Sequence, residues 1–146
     1  VKISSGYVVG GNGSAANIVG VLNGIFFNAA DTLKPTFSNF YKATITPANS
    51  EDTTAFVIDD PFQQYVVAAD AATGVTTFLE TYDMNTSAGS DTTGKSSSTL
   101  DIATTSADGK QFRLLRSAED PENEDATAVR HSVVVVSNLN SFNGHN

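Results

Sequence analysis

The stretch Ala55–Val67, AFVIDDPFQQYVV, decides the fold class. Two apolar runs, Ala55 to Ile58 and Phe62 to Val67, flank Asp59-Asp60-Pro61. Pro61 has no N–H to donate and biases Asp60 away from helical backbone angles. The flanking residues are β-branched or aromatic, types that fit a pleated surface. The segment reads as strand, sharp bend, strand, with strands at Thr54–Ile58 and Gln63–Ala68. Nothing in it carries catalytic chemistry.

The same pattern repeats outward from this point. Toward the N-terminus, Ile18 to Phe27 (IVGVLNGIFF) is apolar but interrupted by Gly20 and Gly24. A helix loses about 1 kcal/mol at each glycine, whereas a strand uses glycine for a bulge or a close backbone approach. It reads as a strand. Ile3 to Val9 is a further short strand ending in the Gly10-Gly11-Asn12-Gly13 loop. Asn28 to Pro35 is a turn, Phe37, Phe40 and Tyr41 fall in a loop, and Ala43 to Thr46 is extended. Toward the C-terminus, Thr76 to Tyr82 is the one helix candidate, with Thr77 and Glu80 at capping-box spacing. Ser98 to Ile102 alternates polar and apolar residues as a half-buried strand does. Asp108-Gly109 is a hairpin dipeptide, and Gln111 to Arg116 is the strand that returns from it. Val129 to Asn138 is the clearest strand; its four consecutive valines, Val133 to Val136, imply burial on both faces. The tail from Ser141 is polar and expected to be loose. About eight short strands separated by turn signals predict an all-β fold, an antiparallel barrel or compact sandwich with at most one short helix.

Composition narrows the function. The chain has 146 residues, 40% hydrophobic and 16% charged, which suits one folded β-rich domain spanning 1–146. Its polar surface is rich in Ser, Thr, Asn and Gly, as in many extracellular and viral structural proteins. Net charge is −8, and only eight Lys and Arg are scattered along the chain, too few for a phosphate-binding patch, so no nucleic-acid partner is expected. The absence of Cys excludes disulfides, thiolate metal sites and a Cys nucleophile. No apolar run reaches the roughly 18 residues of a membrane helix, and no signal peptide is visible. Residue 1 is Val rather than Met, so either the chain was processed or further residues precede it.

Several motifs invite sharper readings. Gly89-Ser90-Asp91-Thr92-Thr93-Gly94-Lys95-Ser96 matches the phosphate-loop pattern letter for letter. That loop works only between a buried parallel strand and a helix N-terminus. Here both flanks are polar, so a loop without nucleotide is expected. The acidic run Glu119 to Asp125 lacks the glycine and terminal Glu spacing of a calcium loop and reads as solvated. His131 and His145 are the only histidines, and no motif around either marks a catalytic base. No catalytic residue, cofactor or metal ligand is predicted. The first half is rich in aromatics: Phe26, Phe27, Phe37, Phe40, Tyr41, Phe56, Phe62 and Tyr65. Most fit a core, while Phe37, Phe40 and Tyr41 are candidate contact anchors on a partner protein.

Ordered segments of the chain resemble a family of small tailed-phage virion proteins, the head decoration or cement proteins. The pattern is an apolar strand into Asp-Asp-Pro (Phe56–Pro61), a Ser-Ala-Gly-Ser-x-Thr-Thr-Gly-x-Ser loop (Ser87–Ser96), and a strand rich in Leu and Arg (Phe112–Arg116). That strand follows a Leu-x-Leu-x-Arg-like pattern, here Phe-Arg-Leu-Leu-Arg; a Pro-Glu-Asn-Glu turn (Pro121–Glu124) and a Val-rich closing strand (Val133–Leu139) complete the set. The resemblance covers about the last two-thirds of the chain and absorbs the phosphate-loop match as a family loop. It implies a structural protein without enzymatic activity or cofactor, located on the outside of a phage head. Its partner would be the major capsid protein, with a homodimer or homotrimer on the lattice allowed, and no membrane or nucleic acid involved. The competing reading is a carbohydrate-binding or adhesive β-module of a fibre or cell surface, disfavoured by the absence of Trp.

Overall fold

The structure, a computed structural model, describes residues 1–11, 18–42, 44–107, 109–123 and 125–139. These residues form ten strands: β1 (Lys2–Ser4), β2 (Tyr7–Val9), β3 (Val21–Asn28), β4 (Pro35–Ser38), β5 (Thr54–Ile58), β6 (Gln64–Ala68), β7 (Thr81–Asn85), β8 (Thr99–Ser106), β9 (Phe112–Ser117) and β10 (Ser132–Ser137). One turn of 3-10 helix, Ala48–Ser50, is the only helical element among them. The fold is all-β as the residue pattern predicts.

Every strand pairing is antiparallel. The strands make a five-stranded sheet in the order β6-β10-β9-β7-β8, a three-stranded sheet in the order β4-β3-β5, and the β1-β2 hairpin. These sheets are open, the sandwich rather than the closed barrel. The edges of the large sheet meet at one bridge, Ala69 opposite Leu100. There Asp70 donates its N–H to the Leu100 carbonyl (3.0 Å), and its Oδ1 accepts the Ile102 N–H (3.0 Å).

Period-2 alternation builds the core. Val133 and Val135 of β10, Phe112 and Leu114 of β9, Tyr82 of β7 and Leu100 of β8 are buried together with Ala69 and Ile18. Tyr65, Val67, Phe78, Met84 and Ile102 pack against them. A fully buried side chain of this size contributes about 1.5–3 kcal/mol of transfer free energy, so this cluster dominates the apolar contribution to stability. Val134, on the opposite face of β10, is also buried, and the expectation of burial on both faces holds for Val133–Val135. Ile18 ties the sheets together: its N–H donates to the Leu139 carbonyl (3.0 Å), three residues before β3 begins.

The bend at Asp60-Pro61 carries the chain from β5 in the small sheet to β6 in the large one. Both flanking strands therefore form where expected, but with different partners. Other expectations change. Ile3 to Val9 is two strands, not one, folded at Ser5 and Gly6, whose φ angles are 51° and 83°. Phe37 lies in β4 rather than in a loop. The helix candidate at Thr76 to Tyr82 is a turn leading into β7. Its Thr77 hydroxyl donates back to the Gly74 carbonyl (2.7 Å), and Leu79 has φ 68°, which ends any helical run. Leu79 and Glu80 exchange backbone bonds with Leu114. β7 thereby separates β8 from β9, so Gln111 to Arg116 does not pair with the strand before it. Val129 and Arg130 precede β10 in a turn. Asp108 of the expected hairpin turn, Asn12 and Gly13, Ala43, His145 and the tail from Ser141 lie outside the described residues.

Candidate functional site

The three-stranded sheet presents an aromatic face. Phe26 of β3 lies opposite Phe37 of β4, and Gly24 of β3 lies opposite Phe56 of β5. Because directly opposed residues share a face and side chains alternate along a strand, Gly24, Phe26, Phe37 and Phe56 stand on the same side. A register shift between Leu22 and Gly24 sets this phase in β3. The Phe37 ring rests over Gly24, where a Cβ would come within 2.6 Å of Phe37 Cζ. Phe37 and Phe56 meet as a tilted pair, centroids 5.9 Å apart and planes at 50°. All three rings are exposed: Phe26 by 39%, Phe37 by 61% and Phe56 by 46%. Large aromatics on one exposed sheet face are the composition of a contact surface. Ile25, which points the other way, is buried. It lines a cavity of about 420 Å³ with Val8, Val9, Leu22, Tyr41 and Ala55.

The candidate anchors Phe37, Phe40 and Tyr41 are not brought together. Phe37 belongs to the face just described. Phe40 is half-buried and covers Gly94, whose Cβ, if present, would collide with its ring. The Ser38 hydroxyl holds this turn, donating to the Phe40 carbonyl (2.6 Å) and accepting its N–H (3.3 Å). Lys42 Nζ stands 5.2 Å from the Phe40 ring centroid. Tyr41 is exposed and borders the cavity instead. Phe26 and Phe56 were not singled out from the sequence as contact residues. Their period-2 placement on β3 and β5 was the available signal.

Acidic residues border this face. β5 is an edge strand, with Glu51-Asp52 before it and Asp59-Asp60 after it, all four exposed. Glu51 accepts a hydrogen bond from Asn28 Nδ2 (3.1 Å), and Asp60 Oδ1 accepts the Phe62 N–H (2.8 Å). Burial raises the Tyr65 phenol above its usual pKa, and the charges of Asp60 and Asp59 push the same way.

The phosphate-loop sequence is a connection between β7 and β8, two antiparallel neighbours. Ser90 donates its N–H to the Lys95 carbonyl (2.9 Å) and Gly94 donates to the Ser90 carbonyl (2.8 Å). Thr93 and Lys95 donate theirs to the hydroxyls of Ser90 and Thr93. These amides serve the loop itself instead of converging on an anion. Gly94 is required by its φ of 70° and by the Phe40 ring above it.

His131 is fully buried and joins two loops. Its Nε2 is 2.7 Å from the Thr73 hydroxyl and its Nδ1 is 2.8 Å from the Ala128 carbonyl. The Thr73 N–H also donates to the Ala126 carbonyl (2.9 Å). With both ring nitrogens engaged away from solvent, His131 acts as a staple between residues 70–74 and 125–131. In the acidic loop, Glu119, Glu122 and Asp125 are exposed. Hydrogen bonds from the Thr127 hydroxyl (2.6 Å) and N–H (3.0 Å) hold the Asp125 carboxyl below its usual pKa. Among the described residues no group of His, Asp or Glu is arranged to hold a metal ion, and no helix is long and apolar enough to cross a membrane. No family model, no curated protein and no solved structure matches this chain.

Proposed function

We propose that this chain is a virion structural protein that decorates the outside of a tailed-phage head, binds the major capsid protein and reinforces the shell. The observation that carries the reading is the exposed Phe26–Phe37–Phe56 face on a small sheet whose strands contribute no residue to the main core cluster. The ordered resemblance of Phe56–Pro61, Ser87–Ser96, Phe112–Arg116, Pro121–Glu124 and Val133–Leu139 to decoration proteins supplies the partner. Weak contacts repeated over a lattice suffice, since many copies act at once and binding stabilises only the assembled shell.

The test uses heads with and without the protein. Stripped heads should rupture at lower temperature or milder osmotic stress, and added protein should restore them. Phe37→Ala with Phe56→Ala should rebind poorly while remaining folded. Equal robustness of stripped and intact heads would end the cement reading. Binding to polysaccharide, lost in the same double variant, would favour an adhesive module instead.

A further inference from the structure

We infer that the Phe26–Phe37–Phe56 face receives a partner segment that presents apolar side chains between Lys or Arg residues. This rests on the reading of that face as the capsid contact and specifies the chemistry of what covers it.

The argument is charge complementarity around an apolar centre. The rings offer exposed area that water must leave for a partner to be held. Four exposed carboxylates, Glu51, Asp52, Asp59 and Asp60, stand at the two ends of β5, the edge strand that carries Phe56. Across the sheet, the β3–β4 connection carries Asp31 and Lys34, which offset one another. Lys42 lies over the Phe40 ring. The border of the face is therefore net negative. A second copy of this chain is a poor occupant: with 16 acidic against eight basic residues it brings more negative charge to the same border. Like charges across an interface oppose association, while opposite charges speed encounter and set orientation. A segment with basic flanks and an apolar middle answers both parts of the surface.

Two synthetic peptides with one apolar core, alternating Val and Phe, test this: one flanked by lysine pairs, the other by glutamate pairs. Each is titrated into the full chain, with backbone amide shifts followed by NMR. The lysine-flanked peptide should shift amides of 24–28, 36–38 and 54–58. It should bind about tenfold more tightly than the glutamate-flanked one at low salt, and the gap should narrow at about 0.5 M salt. Asp59→Asn with Asp60→Asn keeps the acceptor for the Phe62 N–H and should weaken only the lysine-flanked peptide, by about threefold. Phe37→Ala with Phe56→Ala should abolish both responses. Equal affinity for the two peptides, shifts elsewhere on the molecule, or no shift at millimolar peptide overturns the inference. The peptides do not involve the virion, so failed rebinding to heads with intact lysine preference removes the capsid reading alone. Restored heads without that preference remove this inference alone.

Discussion

The ring of Phe37 lies over Gly24 and leans on Phe56 across it. Gly24 provides a seat that any side chain would occupy. Gly24→Ala should therefore displace the Phe37 ring, because the new methyl would stand 2.6 Å from Phe37 Cζ. The ring is exposed and can swing outward, the Ser38 carbonyl oxygen at 3.1 Å need give only a few tenths of an ångström, and alanine suits a strand better than glycine, so stability should change by no more than about 1 kcal/mol. Loss of the Phe37 ring-current effect on Phe56 protons, with an unchanged melting curve, is the expected result. A large drop in melting temperature would mean that the ring or the Ser38 carbonyl cannot give way.

Phe40 and Phe37 should behave oppositely. Phe40 covers Gly94 and joins the end of β4 to the β7–β8 connection. Phe40→Ala should cost about 1–3 kcal/mol, less than a fully buried phenylalanine because Phe40 is half-buried. Gly94→Ala meets both the ring and a left-handed backbone, which alone costs about 1–2 kcal/mol. Phe37→Ala should leave stability nearly unchanged. Urea denaturation of the three variants ranks them, and a larger loss in Phe37→Ala than in Phe40→Ala reverses the assignment.

The legible parts of the fold were those decided locally. β5 and β6 follow from β-branched and aromatic residues on either side of Pro61, and the bulge in β3 falls at its one glycine, Gly24. β7 was hidden because Thr77 and Glu80 mimic a helix cap. Its strand state depends on Leu114 pairing with Leu79 and Glu80, more than thirty residues away in sequence. The same distance hid the partner exchange that places β7 between β8 and β9. The aromatic face was half legible. Phe37 stood out, but Phe26 sits in an apolar run that reads as core, and only the arrangement of sheets determines which face stays uncovered.

Val135 and Val134 separate the two faces of β10. Val135 belongs to the core cluster and is fully buried, so Val135→Asp places an unpaired charge there and should prevent stable folding. Val134 is buried on the other face, opposite Val66 and Arg116, both exposed. An aspartate at 134 can reach the Arg116 guanidinium, so Val134→Asp should be destabilised yet retain a cooperative melt. Circular dichroism melts compare them. If both variants melt within about 2 °C of the parent, less than a 1 kcal/mol loss produces, β10 does not carry the core.

Asp125 supplies a pH dependence of defined sign. The Thr127 hydroxyl is the main reason its carboxyl is held below the ordinary value, with the Thr127 N–H second. A folded-state pKa below the unfolded one means that the carboxylate's contribution is present above the unfolded value. It is lost as pH falls past the ordinary carboxylate range and through the lowered folded value. Thr127→Val removes the hydroxyl but keeps the backbone donor, so the Asp125 pKa should rise part of the way toward the ordinary value. Carboxyl carbon shifts followed by NMR through the acid range read this directly. The loop should also lose some order at low pH in the parent, seen as broadening of the Asp125 to Arg130 amides, and the variant should show the same broadening at a higher pH. An Asp125 titration midpoint unchanged by Thr127→Val would place the cause in the backbone amide instead.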